Sequence, residues 1–202
     1  MSSDLPRTSV DLSALIGSRI CHDLISPIGA IGNGVELLSM SGANLGPELS
    51  LISESVANAN ARIRFYRIAF GHGGQGQGVG RSEIQSVLKD MYQGSRLKIT
   101  WSVGAECRRD DVKAAFLALQ CLETAMPFGG EIEISRDEEG WKVAGTSPKL
   151  KLDPEVWAAL QGGSIEAITP ALVHFAMLPV VLKQSGRRLQ ATRADDRVTL
   201  AF

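Results

Sequence analysis

The stretch Arg19-Ile20-Cys21-His22-Asp23-Leu24-Ile25-Ser26-Pro27 brings an imidazole, an adjacent carboxylate, a hydroxyl four positions further on and a preceding cation into one short segment. A neutral imidazole nitrogen is a nucleophile near neutral pH, because an unperturbed imidazole titrates close to it. Asp23 is placed to hold one ring N–H of His22 and leave the other nitrogen free to attack. Ser26 lies one turn on, within reach of a group carried by the ring. Arg19 lies one turn before Asp23 and can pair with it or attract an anion. Each also has a plainer role: a solvated surface charge for Asp23 and Arg19, a filler hydroxyl for Ser26, and a surface histidine for His22. Cys21 is expected to be a free buried thiol.

These residues need an element to present them. From about Val10 to Met40, the apolar positions Leu12, Ile16, Ile20, Leu24, Ile28, Ile31, Val35 and Leu38 recur in steps of three and four, which predicts one helix with a single apolar stripe. At about 100° per residue, His22 projects about 180° from the centre of that stripe. Ser18, Ser26, Gly29, Gly32 and Asn33 share its outward side. A solvated helix face ordinarily carries long charged residues and strong helix formers. A histidine among Ser and Gly has clearance, as though another protein's surface must reach it. Pro27 removes a backbone hydrogen bond and is expected to bend the helix just after His22.

Residues 41–47, Ser-Gly-Ala-Asn-Leu-Gly-Pro, read as a turn, with Pro47 suited to a first helical position. Leu49, Ile52, Val56, Ala59, Ile63, Tyr66 and Phe70 then form a heptad seam. Two such helices make an antiparallel hairpin. A hairpin alone buries too little, so two copies are expected to form a dimeric four-helix bundle; the alternative cover for the seam is the rest of the chain. Counting back from the turn sets Phe65 about level with His22. Ala61, Phe65 and Ile68 lie opposite the seam. They would make a docking patch near the histidine or, equally, a packing face for the C-terminal segment. Arg62, Arg64 and Arg67 flank them and suit an acidic partner, or are solvated helix charges.

Residues 72–80 form a Gly-rich linker between a helical unit, 1–71, and a second unit, 81–202. A nominal G-x-G-x-x-G from Gly71 to Gly76 follows a helix rather than a strand, so the dinucleotide context is missing. Beyond the linker the pattern is α+β. Helices are expected at 81–93, 110–126, 153–161 and 170–184, the last with Pro179 inside. Strands are expected at 97–103, 131–136, 141–145, 189–193 and 198–202.

The string His22-Asp23-x-x-Ser26-Pro27 resembles the H-box of histidine kinases and phosphotransferases, in which the histidine carries a phosphoryl group. The element order after the linker is similar to the ATP-binding α/β sandwich of histidine kinases, but its nucleotide motifs are missing. Gln120-Cys121-Leu122-Glu123-Thr124-Ala125 sets Thr124 where that family has an asparagine for magnesium. Val143-Ala144-Gly145-Thr146-Ser147-Pro148-Lys149 sets Gly145 at the adenine-reading aspartate. Leu172-Val173-His174-Phe175 stands at the later glycine-rich box. A kinase-like hairpin with a degenerate ATP domain resembles the ChpT-type bacterial histidine phosphotransferases. That resemblance implies phosphoryl transfer between receiver-domain aspartates of a hybrid kinase and of response regulators. His22 would be the phosphoacceptor. Asp23, Arg19 and Ser26 would support it, and Gly29, Asn33, Arg62 and Phe65 would meet the partner. No cofactor is implied for this chain, since the magnesium would sit on the receiver. Glu123 and His174 would be structural.

A net charge of −1 gives no case for nucleic acid or an anionic membrane surface. The three cysteines show no C-x-x-C spacing, against a disulfide framework or zinc site. With no signal peptide or long apolar span evident, the protein is expected in the cytoplasm. Two rival readings stay open. One is a divergent sensor kinase that still uses ATP; the other is a scaffold that holds response regulators without being phosphorylated.

Overall fold

The computed structural model describes residues 11–40, 46–71, 78–104 and 106–202. The first helix, α1, spans Leu12–Met40. Asp11 caps it, its Oδ1 accepting from the backbone N–H of Ser13 at 2.9 Å and Ala14 at 3.3 Å. The expected start at Val10 and the core of the turn, 41–45, lie outside the described residues. The second helix, α2, spans Gly46–Ala69 and runs back along α1. Asp23 meets Tyr66 at one end, and Gly34 meets Ile52 at the other, where a Cβ on residue 34 would come within 2.5 Å of Ile52 Cγ1. Gly34 therefore lets the two helices approach closely. Pro27 is buried within α1.

The C-terminal part is a sheet covered by helices. In chain order come β1 (Gly78–Val79), α3 (Arg81–Tyr92), β2 (Leu97–Trp101), β3 (Cys107–Arg108), α4 (Arg109–Ala125), β4 (Gly130–Asp137), β5 (Gly140–Thr146), α5 (Pro154–Ala158), α6 (Val173–Gln184), β6 (Gln190–Arg193) and β7 (Arg197–Ala201). The main sheet has the order β2-β4-β5-β7-β6, with β2 parallel to β4 and the other neighbours antiparallel. Its alternation is legible: Ile132, Ile134, Val143, Val198 and Leu200 are buried, while Lys98, Glu131 and Glu133 face solvent. The α4 helix is buried on nearly all sides, from Val112 through Ala125, as a helix apolar all round must be. The expected helices at 153–161 and 170–184 begin or end as 3₁₀ turns, at 159–161 and 170–172.

Residues 72–77 of the expected linker lie outside the described residues. Its last residues are tied down: Gly78 and Val79 pair with Arg108 and Cys107 in a short antiparallel ladder, and Gly80 leads into α3. The seam residues Leu49, Val56 and Ile63 on α2, with Ile28 and Val35 on α1, stay exposed in the single chain.

The far side of α2 corrects one expectation. Phe65 is not part of an exposed patch: it is fully buried, as are Ala61 and Ile68. Its ring stacks on Phe116 of α4 at 4.8 Å between centroids and meets Tyr92 of α3 edge-on at 6.2 Å. The packing alternative holds because α3 and α4 close over that face. Arg64 and Arg67 are likewise engaged within the chain, Arg64 with Asp90 at 2.6 Å and Arg67 with Glu83 at 3.6 Å.

Candidate functional site

His22 stands out from α1 with 85% of its side chain exposed. Its Nδ1 lies 3.1 Å from Oδ1 of Asp23. That carboxylate is nearly buried, and one hydroxyl donor and two guanidinium cations converge on its other oxygen, Oδ2. The Tyr66 hydroxyl donates to it, Arg19 Nε lies 2.8 Å away, and Arg62 Nη1 lies 3.6 Å away. Burial alone would raise the Asp23 carboxyl; the hydrogen bonds from Tyr66 and His22, and the charges of Arg19 and Arg62, outweigh it and hold the group below the usual carboxylate range. Burial and the bond to Asp23 push the Tyr66 phenol up to about 12, so it stays a donor at any physiological pH.

A cleft of about 450 Å³ opens beside the imidazole. His22, Asp23, Ser26 and Pro27 of α1 form one wall, and Glu54, Ser55, Asn58 and Arg62 of α2 form the other. The structure thus brings four of the expected residues together: His22, Asp23, Ser26 and Arg62. Arg62 is more than a surface charge, since its Nε also donates to Asn58 Oδ1 at 2.9 Å. Arg19 joins through Asp23 and reaches into the C-terminal part, where its Nη1 donates to the carbonyl of Ala171 at 2.9 Å. Gly29 and Asn33 are exposed further along α1 and do not line the cleft; among the described residues nothing lies within 4 Å of where a Cβ on residue 29 would stand. Phe65 is absent from the site for the packing reason given above. Cys21 is exposed, not buried, because its position in the helical repeat falls outside the stripe that meets α2.

Tyr66 is the residue that sequence reasoning missed. Its spacing places it only in the seam. Its signal was its place one residue beyond Phe65, itself about level with His22, together with the rule that a buried phenol needs a partner.

The positions at which the resemblance set the missing nucleotide motifs are engaged within the chain. The Thr124 hydroxyl donates to the Gln120 carbonyl at 3.0 Å and lies 3.1 Å from Nε2 of His174. His174 is 2% exposed. Burial, helped by the Arg19 charge, pushes it down to about 3. A side chain at Gly145 would come within 2.7 Å of Met126 Sδ, with Leu122 close behind. Glu123 is held by the Tyr92 hydroxyl at 2.9 Å, and burial raises its carboxyl.

Residues 81–197 match the family described as the histidine phosphotransferase C-terminal domain. Protein phosphotransferase ChpT of Brucella abortus (strain 2308) is 39% identical over 137 residues, covering 66% of this chain and 65% of that protein. The match therefore spans just under two thirds of that relative's length. A solved structure of a bacterial phosphotransferase superposes with a TM-score of 0.77 at 28% identity, over 97% of both chains. Among the described residues no helix is long and apolar enough to cross a membrane.

Proposed function

The chain belongs to the histidine phosphotransferase family, and on that footing we propose that it relays phosphoryl groups between receiver-domain aspartates through His22. The observation that carries the reading is the arrangement of one imidazole. Its Nδ1 faces Asp23 while the ring stands open to solvent and to the cleft. Hydrogen bonding at Nδ1 leaves the Nε2 lone pair as the nucleophile.

Nε2 attacks the phosphorus of a receiver's aspartyl phosphate. The N–P bond forms as the P–O bond to the aspartate breaks, and the aspartate leaves as a carboxylate. The ring becomes cationic with its proton on Nδ1, where the ionised Asp23 balances the charge. Transfer onward reverses the same bonds toward another aspartate. Magnesium is supplied by the receiver. Ser26, on the cleft wall, is placed to contact the phosphoryl oxygens. The receiver docks over the open face that includes Gly29 and Asn33, with Arg62 at the cleft edge.

In this reading two chains pair through Ile28, Val35, Leu49, Val56 and Ile63, whose seven-residue spacings on each helix leave an apolar stripe that one chain does not cover. ATP is not used. The hydroxyl of Thr124 is occupied by Gln120 and His174, and the space at Gly145 is taken by Met126 and Leu122, which weighs against the divergent-kinase reading.

The test is incubation of the wild type and His22→Ala with a phosphorylated receiver domain, tracking acid-labile label. The wild type should accept label and the variant none, with unchanged circular dichroism because the side chain lies off the core. Label persisting in the variant, on His72 or His174, would remove His22 from the relay. A wild type that never takes label would favour the unphosphorylated scaffold.

A further inference from the structure

We propose that Tyr66 is a positioning residue of the relay: its hydroxyl anchors Oδ2 of Asp23, so that Oδ1 stays aimed at Nδ1 of His22 and the ring is held with Nε2 unprotonated. The proposal rests on the reading that His22 is the phosphoacceptor.

Asp23 is short and attached to the same helix as His22, but adjacency does not fix where its carboxylate points. Two guanidinium groups, Arg19 and Arg62, lie within 4 Å of Oδ2. Either would turn the carboxylate for a two-oxygen contact if nothing held it, because a guanidinium fork favours both oxygens of a carboxylate. The Tyr66 hydroxyl offers a single donor to a single oxygen. It satisfies Oδ2 and leaves Oδ1 to the histidine.

Tyr66 is well built for this. It is 3% exposed, and its ring meets Phe65 edge-on at 6.0 Å and Phe70 at 5.4 Å. Phe65 in turn stacks on Phe116 at the centre of the C-terminal core. The ring that carries the hydroxyl is therefore packed on neighbours of its own helix that are themselves anchored in the C-terminal core. A donor set by a rigid core orients a carboxylate better than a long arginine on the same helix. The donor is also neutral, so it fixes the carboxylate without cancelling the charge needed opposite a cationic ring.

The consequence is a tautomer. In water a free imidazole favours the proton on Nε2, the wrong nitrogen for attack. A carboxylate held against Nδ1 reverses that preference. The experiment uses the full chain. The ring-nitrogen chemical shifts of His22 report the tautomer at neutral pH. Potassium phosphoramidate serves as a small donor that needs no receiver. It delivers its phosphoryl group to Nε2 as its own P–N bond breaks and ammonia leaves.

Wild type should show the Nδ1–H form. Tyr66→Phe keeps the ring and should melt as a folded protein. It should shift His22 toward Nε2–H and slow phosphorylation by roughly tenfold to a hundredfold, the range expected for losing a hydrogen bond to a charged group. In an Asp23→Asn background the same substitution should add no further loss, because on this proposal Tyr66 reaches the ring through that carboxylate. An Nε2–H tautomer in wild type overturns the proposal without any variant. So does an unchanged tautomer and rate in Tyr66→Phe, or a full additional loss in the Asp23→Asn background. His22→Ala separates the two levels: phosphoramidate labelling that survives there removes the parent reading, whereas labelling lost there but unaffected by Tyr66→Phe removes only this one.

Discussion

His22 and His174 are the same side chain in opposite surroundings. His22 has 85% of its side chain in solvent, a carboxylate at one nitrogen and a cleft beside it. His174 is 2% exposed, has the neutral Thr124 hydroxyl at one nitrogen and, among the described residues, no hydrogen-bond partner at the other. The first arrangement leaves a nucleophile with its proton directed. The second leaves a neutral ring fastened between α4 and α6. On the proposed relay, what would distinguish a reactive histidine from an inert one is access, together with the charge of its hydrogen-bond partner. Tyr66, which bonds Asp23, meets Phe65, and Phe65 stacks on Phe116 of α4, the helix that also carries Thr124.

Breaking that junction should have the largest effect. Phe65→Ala removes a fully buried ring and leaves a cavity between α2, α3 and α4, so unfolding free energy should fall by about 3–5 kcal/mol. Urea titration followed by circular dichroism measures it. A change under about 1 kcal/mol would mean that Phe65 is not held as described, and would return it to the exposed docking patch.

The sequence made some of this architecture readable. The outward face of α1 was legible because residues on one helix keep fixed angular relations, so His22, Ser26 and Gly29 share a side whatever α1 packs against. The main strands were legible from alternation, at Leu97, Ile99 and Trp101 for instance. Contacts between elements were not. Whether Phe65 faced a partner or the chain's own C-terminal part depended on which of two apolar surfaces closed over it. The meeting of Tyr66 with Asp23 depends on the register and roll of α2 against α1. The bond from Arg19 to Ala171 joins residues 152 positions apart. The ladder between β1 and β3 has two residues on each side, too few to show any period.

The buried histidine gives the next effect in size. Its pKa is about 3 in the folded chain, against about 6.5 when unfolded. Between those values the unfolded state binds the extra proton, so stability is full above about pH 6.5 and falls as the pH is lowered. One proton contributes a slope of up to about 1.4 kcal/mol per pH unit. The depressed Asp23 carboxyl acts with the same sign but only in more acid solution, below the ordinary carboxylate range. Urea midpoints at pH 7, 6 and 5 should therefore drop in the wild type and drop much less in His174→Leu. Equal slopes in the two proteins would show that His174 takes up its proton without unfolding, and the contrast between the two histidines would then be one of access alone.

The smallest effect on stability should accompany a large effect on function, at Gly29. The position is exposed, helical and open, with none of the described residues within 4 Å of a Cβ. Replacing glycine by arginine inside a helix should stabilise the chain slightly, by up to about 0.8 kcal/mol. The new side chain would nevertheless stand on the face proposed above for receiver docking. Transfer from a phosphorylated receiver should fall sharply in Gly29→Arg, while labelling by phosphoramidate should be unchanged, since a small donor needs only the imidazole and the cleft. Loss of both activities would mean that the arginine disturbs His22 itself. Retention of both would move the docking surface off this side of α1, leaving the clearance around His22 to serve the cleft wall formed by α2.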